Sequence, residues 1–133
     1  MNRNIQLTCA WSGPLFVALW LIGMWPIQGF LPAPEPSASA DAIVALYRDN
    51  LIGVRLGTAF EFIAVALFAT FGGVIASRTR RAEGISPVIA YVQIACVGAS
   101  TALATVIPVA WAVAAFRPGV VSPDITLTFN DFG

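Results

Sequence analysis

Residues 84–116 are 33 consecutive positions without a charged side chain, a run that a water-soluble fold has little means of covering. As a straight helix it would extend about 50 Å, against a hydrocarbon core of about 30 Å. Two further stretches are nearly as apolar: residues 11–31 sit inside an uncharged run from 4 to 34, and residues 51–77 are interrupted only by Arg55 and Glu61. Since about 20 apolar residues suffice for a crossing, the expected fold is all-α, an integral membrane bundle of three transmembrane helices. The expected layout of this single domain is a first span over about 11–31, an outer loop 32–50, a second span over about 51–77, an inner loop 78–84, a third span over about 86–116, and an outer tail 117–133. The third span is longer than the membrane needs, so it should tilt or kink, with Pro108 as the kink.

Composition agrees. Hydrophobic residues reach 58% and charged residues 11%, against about 45–50% and about 25% in soluble proteins, and mean hydropathy is +0.81. Apolar residues continue around each helical face, where a soluble surface helix carries a polar stripe. Trp11, Trp20, Trp25 and Trp111 fall toward the expected span ends, as interfacial aromatic belts do.

Orientation rests on arginine, because all seven basic residues are arginines. Arg78, Arg80 and Arg81 crowd one short turn and Arg3 precedes the first span, while Arg48 and Arg117 lie on the other side among Glu35, Asp41, Asp49, Asp124 and Asp131. Arginine-rich short loops stay cytoplasmic, which puts the amino terminus and the 78–84 turn inside. A cleaved signal peptide is the rival for the first span, with Ala38-Ser39-Ala40 as a cleavage pattern. The apolar stretch is too long for that, and it carries three tryptophans.

The two outer segments repeat an order: a proline-containing corner, a Ser and Asp cap, an amphipathic stretch, then Asp49-Asn50 or Asn130-Asp131. In the first, Ser39 or Asp41 caps a short helix through Tyr47 whose Ile43, Leu46 and Tyr47 share a face suited to the membrane surface. In the second, Ser122, Pro123 and Asp124 mark a helix start, and Ile125, Phe129 and Phe132 fall on one side. The alternation Ile125, Leu127, Phe129 suits a strand equally. The repeated order fits either a chance similarity of two interfacial loops or a duplicated two-helix unit lacking its fourth span, and a continuation of the native chain beyond Gly133 is expected.

Chemistry is narrowly bounded. The absence of histidine excludes histidine-based acid–base catalysis and histidine-ligated zinc or haem. Cys9 and Cys96 are expected at different depths, as small buried hydrophobes and not a disulfide. No metal or cofactor is expected, no enzymatic activity, and no nucleic-acid partner, since no basic patch exceeds Arg78, Arg80 and Arg81. That trio serves as a topology anchor, with anionic lipid head groups as the alternative.

Glu61 is the residue to weigh. A charged side chain costs about 2.5–3.5 kcal/mol at mid-helix, which the ten bulky apolar residues between Leu56 and Ile75 offset by about 3–6 kcal/mol. Gly53, Gly57 and Glu61 follow at i+4 steps, and Gly53 and Gly57 form a GxxxG pattern that invites close helix approach. Glu61 is therefore expected on a packing face, received by the small-residue stripe Ala95, Gly98, Ala99 and Ala102 of the third span. Arg55, Thr58, Gln28 and Thr105 are expected near it in depth, giving a candidate intramembrane polar site for a proton, a cation or a polar head group. The bland alternative is an interhelical hydrogen bond or ion pair that fixes register.

The stretch Trp111-Ala112-Val113-Ala114-Ala115-Phe116-Arg117-Pro118, followed by Ser122-Pro123-Asp124-Ile125-Thr126 and Asn130-Asp131-Phe132, resembles a segment of a group of uncharacterised bacterial multi-pass inner-membrane proteins. The likeness covers the last quarter of the chain, and the rest only in layout. It implies a bacterial inner-membrane location and further spans, and it transfers no catalytic residue. The leading expectation is thus a non-enzymatic structural or partner-binding membrane component, in contact with the bilayer and with further copies or other subunits. The alternative is part of a transporter or channel-like protein that uses Glu61.

Overall fold

The computed structural model describes residues 7, 9–30, 32, 34, 35 and 37–133. Arg3 and parts of the proline-rich corner, Leu31, Ala33 and Pro36, lie outside the described residues. Among those described the chain is all-helical, with no strand. Its elements are α1 (Ser12–Ile22), which runs into a π-helical turn (Gly23–Ile27), α2 (Ala40–Asp49), α3 (Leu51–Glu83), α4 (Val88–Ala114) and α5 (Pro123–Phe132). Two of these, α3 and α4, are long and apolar enough to cross a membrane.

The first apolar stretch is not one regular helix. Pro26 has no N–H, and its ring would strike the carbonyl one turn back, so the helix widens into the π turn and Gln28 N–H reaches back to Gly23 O at 2.9 Å. Gly29, at φ 71°, then turns the chain out of the helix.

α3 is the central helix, with α1 on one side and α4 on the other. It extends past the expected boundary at Ser77: Arg78, Arg80 and Arg81 stand on its last turns and not in a loop. Cations are favoured at a helix carboxyl end, and the helix stops only where Gly84 adopts φ 72°. The Glu83 carboxylate then accepts hydrogen bonds from Ile89 N–H (2.7 Å) and Ala90 N–H (2.9 Å), capping α4. Thr58, Thr70, Thr101 and Thr105 each donate their hydroxyl to the carbonyl four residues back, which accounts for their polar groups within apolar helices.

The close contacts between long helices use glycine on α3 against bulk on its neighbours. A Cβ on Gly72 would sit 2.5 Å from a Val97 methyl. α4 accordingly turns Ala90, Gln93 and Val97 toward α3, and Gln93 Oε1 accepts from the Thr79 hydroxyl at 3.2 Å. The stripe expected to pack, Ala95, Gly98, Ala99 and Ala102, faces outward and is exposed. One small residue per contact is enough, and α3 already supplies it.

The core lies at one end, where α2 and α5 cover the helices. Phe30 stands edge-on to Tyr47 (ring centroids 5.7 Å) and to Trp111 (5.0 Å), with Ile43 and Val54 around them. This corrects two expectations. The Ile43, Leu46 and Tyr47 face of α2 is turned into this core, with Tyr47 fully buried, and does not lie on a membrane surface. Trp111 is likewise buried in the core and is not an interfacial tryptophan, whereas Trp11 and Trp25 are exposed. An amphipathic face is equally satisfied by protein or by lipid, so its period does not tell which covers it.

At this end Ser39 accepts from Ala42 N–H at 3.3 Å and starts α2. Ser122 precedes α5 without a side-chain cap bond, and Pro123 supplies the helix start. On α5 the buried position is Thr126, while Ile125 and Phe132 are exposed. Cys9 and Cys96 are unpaired as expected, but neither is buried, because Cys96 lies on the exposed face of α4 and Cys9 is only partly covered.

Candidate functional site

Gly23, Gly57 and the π turn bring α1 and α3 together closely enough to enclose polar side chains. A Cβ on Gly57 would strike the Gln28 side chain and come within 2.8 Å of Gly23 O. A Cβ on Gly23 would lie 3.1 Å from Gly57 O and 3.5 Å from the Glu61 Cγ. The GxxxG pair thus receives the first span, not the third, because the π turn pushes Gln28 and the Gly23 carbonyl toward α3.

Gln28 and Glu61 are wholly buried there and Thr58 is 3% exposed. The Thr58 hydroxyl donates to Val54 O at 2.7 Å and accepts from Gln28 Nε2 at 3.4 Å. Gln28 lies beside the Glu61 carboxyl, out of hydrogen-bonding geometry: Gln28 Oε1 and both Glu61 carboxyl oxygens have no partner. Three buried acceptor atoms in this cell therefore lack a hydrogen bond.

A buried carboxylate without a counter-charge or donors is strongly unfavourable. A proton on Glu61 supplies the donor this cell lacks, since an O–H directed at Gln28 Oε1 satisfies two of the three orphaned oxygens at once.

The other residues placed near this site by depth go elsewhere. Arg55 reaches across to α4, where Nε and Nη2 donate to Ala115 O (both 3.3 Å) and Nη2 to Phe116 O (3.0 Å). It caps the carboxyl end of that helix, where a guanidinium complements the unpaired carbonyls, and makes no ion pair with Glu61. Thr105 donates to its own helix at Thr101 O, 2.7 Å. The cell is thus Gln28, Thr58 and Glu61, drawn from α3 and the end of the first stretch alone. No group of three or more His, Cys, Asp or Glu converges among the described residues.

Sequence reasoning missed what holds the cell shut. Asn50 Nδ2 donates to Ile27 O (3.2 Å) and Gln28 O (2.7 Å), the carbonyls left at the end of the π turn. Its side chain is committed there and makes no cap bond to α3. Above the cell, the Tyr47 hydroxyl donates to Asn130 Oδ1 at 3.2 Å and ties α2 to α5. Burial, then the charge of Asp131, push the Tyr47 phenol well above its ordinary range. Gly29 was the available signal, because a glycine that turns the chain out of a helix leaves the last carbonyls, here Ile27 O and Gln28 O, in need of donors.

Compared with known proteins, the chain matches no family model, no curated protein and no solved structure.

Proposed function

We propose that this chain is a non-enzymatic, multi-pass component of a bacterial inner membrane that binds a proton at Glu61 as part of a transporter or channel-like assembly. The single observation that carries this reading is the buried Glu61 with both carboxyl oxygens unpartnered beside an equally unpartnered Gln28 Oε1. Of the two register-fixing alternatives, the ion pair would have needed Arg55, which is committed to α4, whereas a hydrogen bond between Glu61 and Gln28 is compatible with a carboxyl that exchanges its proton. Ionisable groups at membrane depth that lack a fixed partner mark proton and ion sites.

The membrane setting is supported by surface. Only 17% of the most apolar window of α4 is buried inside the chain, whereas a soluble core helix is mostly covered. Ile89, Val92, Ile94, Leu103, Val106 and Val109 are all exposed along it, an apolar area for which lipid is the natural solvent. In this reading α3 and α4 cross the bilayer, α1 with its π turn forms the third crossing, and α2 and α5 close the outer face. The arginine-bearing end of α3 is cytoplasmic.

Glu61→Gln tests the site. In vesicles carrying an internal pH dye, the wild-type protein should acidify the lumen under an inward proton gradient faster than Glu61→Gln does, with both folded to the same extent. Equal rates would overturn the reading. A topology test accompanies it: on a background of Cys9→Ala and Cys96→Ala, an impermeant maleimide should label Ser37→Cys and Val120→Cys from outside, and Ala82→Cys only after permeabilisation.

A second reading, a partner-binding component, is favoured by one observation. The small residues Ala95, Gly98, Ala99 and Ala102 are left exposed on α4, a surface that admits close approach of another membrane helix, from a further copy or another subunit. Gly98→Leu should then lower the oligomeric mass in detergent; unchanged mass removes this reading.

A further inference from the structure

Away from the Glu61 cell, a cavity of about 550 Å³ opens between the ends of α1 and α4 and the α2–α5 cover. That volume is in the range of small-molecule sites, about 300–1,000 Å³. Its walls include Trp20, Phe30 and Trp111, and the Trp20 indole N–H is occupied by Met24 Sδ at 2.9 Å. The charged residues at the cavity are both acids, Glu35 and Asp131, and no arginine lines it. Both carboxylates are exposed, and neither has an ion pair among the described residues.

The aromatic rings give the cavity an apolar wall that suits an organic body. Carboxylates without an ion pair at its edge attract a positive charge and repel anions. A lining of aromatic rings and a thioether, together with two acids and no arginine, selects one class of occupant by both size and sign. We propose that this cavity is a binding site for a small amphipathic organic cation, its apolar body against Trp20, Phe30 and Trp111 and its positive charge facing Glu35 and Asp131. The site goes beyond proton binding at Glu61 and does not depend on it.

The test uses the full chain in nanodiscs, with tetraphenylphosphonium as probe and tetraphenylborate as its size-matched anion. Binding is read by equilibrium dialysis after subtraction of empty nanodiscs. Tetraphenylphosphonium should bind saturably and tetraphenylborate should not. The double variant Glu35→Gln/Asp131→Asn should bind the cation about tenfold more weakly, while Asp41→Asn/Asp124→Asn, with the same change in net charge, should stay within about twofold of wild type. All four positions are exposed, so folding is retained. No saturable uptake, equal binding of the anion, an unaffected Glu35→Gln/Asp131→Asn protein, or equal loss in the two double variants would each overturn the proposal.

Discussion

Adjacent glycines on α3 offer a controlled perturbation of the packing. Alanine is favoured over glycine in a helix by about 1 kcal/mol, and this gain applies to Gly72 and Gly73 alike. At Gly73 a new Cβ meets nothing within 4 Å, so Gly73→Ala should stabilise by up to about 1 kcal/mol. At Gly72 the Cβ would lie 2.5 and 2.7 Å from the two Val97 methyls and 3.1 Å from Val97 Cβ. Valine is fixed at χ1 in a helix and has no flexible end to swing aside, so α4 itself must move. Overpacking of this kind costs about 1–3 kcal/mol, which leaves Gly72→Ala near neutral to about 2 kcal/mol destabilised once the propensity gain is subtracted. The two variants should therefore differ by about 1–3 kcal/mol in the same direction of cause. Unfolding by SDS in mixed micelles, followed by circular dichroism, measures the difference. Val97→Ala should restore Gly72→Ala in a double-mutant cycle and leave Gly73→Ala unaffected. Equal stabilities for Gly72→Ala and Gly73→Ala, or no coupling to Val97, would refute the α3–α4 register.

Arg55→Gln removes the cap from the carboxyl end of α4 and, at an exposed position, should lower stability by about 1 kcal/mol, with faster amide exchange confined to residues 115–120. Glu83→Gln weakens the bonds to Ile89 and Ala90 N–H and should cost about 0.5–1 kcal/mol, read in the same SDS titration. Tyr47 has its phenol pushed up in the folded state, so its contribution is fully present below the unfolded phenol pKa of about 10. Stability should fall as pH rises above that value toward the folded one. Tyr47→Phe should abolish this alkaline loss, and an unchanged pH profile of the unfolding midpoint would count against the buried phenol.

The long helices were legible because apolar length is a one-dimensional property: residues 51–77 and 86–116 lie within or nearly coincide with α3 and α4. Boundaries were less so. Nothing in Arg78, Arg80 and Arg81 forbids helix, and only the φ of Gly84 ends α3. The short helices α2 and α5 were visible from their caps, yet which surface covers them was not, since the Ile43 and Tyr47 face satisfies lipid and protein equally. At the site, Gly53, Gly57 and Glu61 announced a packing face by spacing alone, but the partner depended on the π turn at Pro26, a local distortion that redirects Gln28. Matching residues by depth grouped Arg55 and Thr105 with Glu61; depth ignores azimuth around the helix, and both point to other acceptors.

The central claim is that Glu61 carries a proton in its closed cell with Gln28. Infrared spectroscopy of protein labelled with ¹³C at glutamate carboxyls reads this directly, because the chain has only Glu35, Glu61 and Glu83 to distinguish. A protonated carboxyl stretch at neutral pH, absent in Glu61→Gln and shifted in Gln28→Leu, is the predicted result. A spectrum with all three glutamates ionised would contradict it.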